Sequence, residues 1–111
     1  MIFRRPEERA RFAAEGMGKS DLVIGEQMFA GLNAFEPGQH HEPHTHCDRD
    51  KVYVVLEGRG EVTVEGRTEI VGPGDVAFAR AGAIHGMLNP GPDRLVVLVL
   101  MAPPPRPRRH P

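Results

Sequence analysis

The sequence predicts an all-β domain, a sandwich or barrel of short strands, and three observations predict it. From Asp21 onward glycine and proline recur at short intervals, and no helical periodicity survives between them. The stretches they bound alternate apolar and polar residues, as a half-buried strand does. The connections are too short for crossover helices, which leaves antiparallel pairing through tight turns. At 111 residues the chain has room for one domain.

Pro6 to Glu15 reads as a short helix. Proline suits the first helical position, Glu7 and Glu8 complement the dipole, and Gly16 can end it. Residues 1–20 therefore form a helical N-terminal extension. Leu22 to Glu36 holds one or two strands, broken near Gly25 or Gly31. Lys51 to Glu57 is rich in Val and contains the one tyrosine. If Lys51 faces inward, so do Tyr53 and Val55, while Val52, Val54 and Leu56 face the other way. Glu61 to Glu65 alternates with Val62 and Val64 on one face. Gly66-Arg67 turns the chain into Thr68 to Val71, and Pro73-Gly74 into Asp75 to Ala79. Ile84 to Leu88 is a further short strand. Leu95 to Met101 is apolar on both faces, so one face meets the core and the other a second subunit. The barrel thus spans 21–103, and Pro103-Pro104-Pro105 stops it. Residues 104–111, rich in Pro and Arg, are a flexible tail.

Composition narrows the function. Ser20 to Pro103 carries six basic against twelve acidic residues, so the body repels a phosphate backbone. Trp is absent and Tyr single, which leaves few platforms for stacking bases. Nucleic acid is therefore not expected as a partner. The longest apolar run, Leu95 to Ala102, falls well short of the roughly 20 residues that span a bilayer. One cysteine, Cys47, makes no internal disulfide and reads as an ordinary small residue. The first residues are charged with no apolar stretch after them, so a cytoplasmic location is expected.

Histidine carries the chemistry. Four of the six lie together, at 40, 41, 44 and 46, and His85 lies far along the chain. In a strand His44 and His46 point to the same side, and neutral imidazole is the commonest ligand for Zn, Fe, Cu or Ni. His85 is the natural third ligand, leaving open positions on the ion. His40 and His41 are adjacent and face opposite ways if extended, so at most one points toward the cluster, and neither is expected to ligate. A polar, histidine-rich surface loop is the bland alternative.

Two spaced motifs resemble those of a small single-domain cupin. The first is Gly38, His44, His46, position 51 and Gly58; the second is Gly74, Arg80-Ala81-Gly82, His85 and Asn89. The resemblance covers about Glu26 to Pro103. It implies an antiparallel jelly-roll barrel with the motif histidines in its mouth, a homodimer, and one divalent transition metal (Fe, Mn, Ni, Cu or Zn) on His44, His46 and His85. It also implies a small organic substrate or ligand, with dioxygenase-like chemistry as the lead reading. A non-catalytic module that senses or stores a ligand or metal is the alternative, and a metal-free sugar isomerase or epimerase relative a third.

Two positions depart from the family pattern. Arg80 replaces a proline, and Lys51 replaces the glutamate that completes the usual site. The chain then has four options. It keeps three imidazoles with Lys51 turned aside, uses Asp50 through a bulge, deprotonates Lys51, or binds an anionic ligand through Lys51 and the imidazoles without metal. Lys51 and Tyr53 are the expected ligand-binding residues.

Overall fold

The structure is a computed structural model, and it describes residues 1–45 and 48–105. His46, Cys47 and the tail from Arg106 onward lie outside the described residues. The expectations for His46 as a ligand, for Cys47 and for the end of the tail lie there with them.

Among the described residues nine strands form two antiparallel sheets. They are β1 (Gly18–Ile24), β2 (Phe29–Phe35), β3 (His40–His44), β4 (Asp50–Glu57), β5 (Gly60–Val64), β6 (Arg67–Val71), β7 (Val76–Ala79), β8 (His85–Leu88) and β9 (Leu95–Ala102). One sheet runs β1-β2-β9-β4-β7 and the other β3-β8-β5-β6. Between them lies the core, built from Phe35, Tyr53, Val55, Val62, Met87, Leu95, Val97 and Val99. Alternation explains the membership. Tyr53, Val55, Val62 and Val64 take the inward positions their strands assign, while Val52, Val54 and Leu56 are half-buried on the opposite face.

In β9, Leu95, Val96 and Val97 are fully buried, as an apolar strand covered on both faces should be. Farther along, Leu98 and Leu100 are half-buried on the outer face. They pair in register with Val54 and Val52, which pair in turn with Val76 and Phe78. Val76 and Phe78 are 63% and 56% exposed, so this apolar strip ends uncovered at the sheet edge.

The N-terminal helix is much shorter than the sequence predicts. Pro6–Arg9 forms one 3₁₀ turn, and Ala10 is already extended at φ −65°, ψ 139°. Phe12 is the single large apolar residue in the expected helix, so no apolar face repays continued winding. The segment instead runs along the barrel. Arg94 stacks 4.2 Å over the Phe12 ring and forks onto Glu36 at 2.9 and 3.1 Å, while Gln39 Nε2 donates to the Ala13 carbonyl at 2.8 Å.

One end of the barrel is closed by Asn89, which is fully buried. Its Nδ2 donates to the carbonyls of Phe35 and Asp93 at 3.0 and 2.8 Å, and its Oδ1 accepts from Gly91 N–H at 2.9 Å. Gly58 sits at φ 81°, and a Cβ there would strike the Arg94 carbonyl.

Candidate functional site

The other end holds the histidines. His44 pairs in register with His85 across β3 and β8, so both side chains leave the sheet on the same face. Their ring centroids are 4.3 Å apart. The sequence reading required the late imidazole to meet the early cluster, and for His44 it does.

His41 joins them, as the one member of the adjacent pair that points toward the cluster. Residues 41 and 44 would face opposite ways in a regular strand. In β3 a bulge falls between them, so three steps along β3 match two along β8, from Met87 to His85. Both rings therefore point inward, 4.1 Å apart. Gly86 makes room for the bulge, since a Cβ there would lie 2.9 Å from the His41 carbonyl and 3.0 Å from Pro43 N. Of the adjacent pair, His40 is the exposed member and bonds Glu42. Pro43, which has no N–H to donate to a ladder, was the local signal for an irregular strand.

The ring nitrogens are oriented. Nδ1 of His44 lies 2.8 Å from the Glu42 carbonyl and Nδ1 of His85 lies 2.9 Å from the Ala83 carbonyl. A carbonyl oxygen accepts, so each Nδ1 carries the proton and each Nε2 presents a lone pair. Both Nε2 atoms are buried. Burial, the largest cause in each case, lowers the affinity of all three imidazoles for a proton. His41 falls to about 3, with the His44 ring adding to the effect. The rings are therefore neutral near pH 7.

The facing sheet contributes Lys51 and Tyr53. Lys51 is not turned aside: it is 3% exposed and lies with its Nζ 4.8 Å above the Tyr53 ring. Burial, and secondarily the Lys19 charge, brings its amine down to about 8. Asp50 does not take the glutamate's place. It is exposed, and its carboxylate accepts the Ala81 N–H at 2.8 Å, away from the imidazoles. The Tyr53 ring is 6.1 Å from that of His85, and its buried hydroxyl has no hydrogen-bond partner among the described residues. Burial pushes the phenol up, so it stays protonated. Arg80, at the motif proline, is an exposed residue paired with Glu65, outside the site.

A cavity of about 470 Å³ opens beside these groups, bounded by His41, His44 and Lys51. Lys19, Asn33 and Arg49 add polar groups that the sequence reading did not single out. Lys19 and Asn33 come from strands distant in sequence, and no local spacing marks them, whereas Arg49 lies two residues before Lys51, in phase with its inward alternation.

The cupin domain model matches residues 31–101, which include the β3–β8 histidines and Lys51. The chain belongs to the cupin family. This cupin superposes on the crystal structure of TT1209 from Thermus thermophilus with a TM-score of 0.89 and 38% identity, covering 95% of this chain and all of that one. It is 33% identical over 102 residues to the Streptomyces coelicolor protein SCO3923, covering 92% of this chain and 95% of that protein. With an Aquifex aeolicus protein it shares 36% identity over 61 residues, 55% of this chain, and that match spans half of the Aquifex protein's length. The cupin's two sheets and the inward histidines agree with the barrel that the motifs imply. Among its described residues no three His, Cys, Asp or Glu side chains form a metal-holding group, so the trio named from the motifs depends on His46. No helix among the described residues is long and apolar enough to cross a membrane.

Proposed function

We propose that this cupin holds one divalent transition metal on His44, His46 and His85 and receives a small organic molecule in the adjoining cavity. One observation carries the reading: imidazoles from two strands converge with each Nδ1 committed to a backbone carbonyl. That second tether is what metal-bound histidines use to fix tautomer and ring direction. The neutral state of the rings, kept by burial, is the state that ligates. A bound ion would supply Lewis acidity and, if it is iron, copper or nickel, redox chemistry with oxygen.

The protein's own groups do the rest. Lys51 presents a cation where the family places a carboxylate, which favours an anionic group in the ligand. Tyr53 keeps its proton, and its ring supports the Lys51 ammonium, 4.8 Å away, from behind the cavity wall. The apolar walls exclude water and strengthen both interactions. Dioxygenase-like turnover is the lead reaction class, and a non-catalytic ligand or metal sensor is the alternative.

Elemental analysis of protein never exposed to nickel resin tests the reading. About one equivalent of metal per chain is expected, with strong loss in His85→Ala. No metal, together with no rise in melting temperature from added Fe, Mn, Ni, Cu or Zn, would overturn it. Oxygen uptake with diketone, thiol and flavonol substrates then separates enzyme from binder.

The outer strip of Val52, Val54, Val76, Phe78, Leu98 and Leu100 supports a second copy as partner. It joins three neighbouring strands without a charge among those side chains, and a two-fold copy would cover it with the same strip.

A further inference from the structure

Lys51 is a buried cation with no carboxylate beside it among the described residues, and nothing in the fold requires it there. Its own row across the sheet is apolar: it pairs with Met101, which pairs with Phe29, which pairs with Ile24. All four line the cavity. Two rows away on the same face, Lys19 pairs with Asn33. Asn33 is 7% exposed and lines the cavity, and its side chain makes no hydrogen bond among the described residues. Arg49 reaches the cavity as well, with its side chain largely buried and its Nε 3.3 Å from Asp48. Against these three cations stand Asp21 in the cavity wall and Asp48 beside Arg49, which leaves the wall with a net positive charge.

Burying an ammonium without a counter-ion costs free energy that a bound anion recovers. The body outside is acidic, so the cation cluster is a local reversal of sign and not a general property of the surface. The uncharged part of the wall, Phe29, Val99 and Met101, is unsuited to a fully hydrated dianion such as phosphate. A carboxylate is a weaker, planar anion. Its two oxygens suit the fork of an arginine and the point charge of a lysine, and it can carry an apolar body.

We propose that the cavity is a binding site for a small monocarboxylic acid, its carboxylate on Lys51 with Arg49 or Lys19 and its apolar body against Phe29, Val99 and Met101. The proposal deepens the functional reading by naming the ligand class, and it rests on that reading for the location of the site. The carboxylate contacts come from side chains, so they do not require a metal.

Titration calorimetry and thermal shift on the full chain test it, with hexanoate, hexanol and inorganic phosphate as probes. Hexanoate is expected to bind and raise the melting temperature, and hexanol and phosphate to bind at least about tenfold more weakly. Lys51→Met is expected to keep the fold, checked by circular dichroism, and to weaken hexanoate about tenfold or more, with Lys51→Arg restoring part of the loss. His85→Ala is expected to lose metal while keeping hexanoate. Equal binding of hexanol would overturn the role of the charge, and tighter phosphate would overturn the carboxylate assignment. If Lys51→Met keeps hexanoate while His85→Ala loses it, a metal holds the anion and the proposal fails although the metal reading stands. If no metal binds but hexanoate does, and depends on Lys51, the metal reading fails and the proposal stands.

Discussion

The two ends of the barrel treat buried polar groups in opposite ways. At the closed end Asn89 is fully buried and spends both amide hydrogens and its oxygen on backbone partners. At the open end Lys51 is almost as buried and has no ion pair, and the Tyr53 hydroxyl has no hydrogen bond, among the described residues. The first arrangement stabilises the fold, because each polar atom recovers what it lost on leaving water. The second destabilises it, and the anionic ligand proposed for the cavity would offset that cost. Asn89 belongs to the architecture and Lys51, under that proposal, to the function, although both are motif positions.

The contrast can be broken by experiment. Phe35, fully buried and bonded through its carbonyl to Asn89, should be the most costly residue to truncate. Phe35→Ala is expected to lose about 3–5 kcal/mol in urea denaturation, by lost transfer energy and the cavity left behind. Lys51→Met should act in the opposite direction. Native Lys51 has its amine lowered to about 8 from 10.5, so below pH 8 the native state must hold a buried ammonium that the unfolded chain keeps in water. Removing it is expected to add on the order of 2–3 kcal/mol at pH 7. The gain should shrink as pH rises from about 8 to 10.5, where the native amine is already neutral. A loss of stability at pH 7 would show that Lys51 is satisfied and that the two ends are alike.

A separate effect is expected in acid. Native His41 is held near 3 by burial, and His44 and His85 are lowered too, whereas the unfolded rings protonate near the ordinary 6.5. The unfolded state then binds more protons, so stability should fall as pH drops below about 6.5 and keep falling toward 3. His41→Gln should flatten that slope in melting curves taken across pH, and an unchanged slope would place the His41 ring in water. The smallest change in stability is expected from Phe78→Glu, within about 0.5 kcal/mol because the side chain is exposed. The same substitution should shift a dimer toward monomer in sedimentation velocity.

The core was largely legible. Alternation placed Tyr53, Val55, Val62 and Val64 inward, and β4, β5, β6 and β8 fall within a residue or so of the expected strands. The site was legible where two motifs carried it, in the meeting of His44 with His85, whereas the inward face of Lys51 was only one alternative, beside a lysine turned aside. Which of His40 and His41 faces the cluster was not legible, because a period of two holds only while the ladder is regular, and the β3 bulge shifts it by one. Lys19 and Asn33 were not, because strand pairing across β1, β2, β9 and β4 brings them to the cavity wall and no spacing within the chain records that; Arg49 was overlooked although it stands two residues before Lys51. The N-terminal helix was misread for the opposite reason. Pro6, Glu7 and Glu8 are good start signals, but a start without an apolar face behind it yields a single turn.

Gly86 has no functional group, yet the aim of an imidazole on another strand depends on it. A methyl at that position would press on the backbone between His41 and Pro43 and force the neighbouring ladder toward a regular count. One ring would then rotate to the solvent side with no histidine altered. Scanning the imidazoles alone would therefore understate how many positions govern this cluster, because one of the most sensitive is a residue that contributes nothing but empty space.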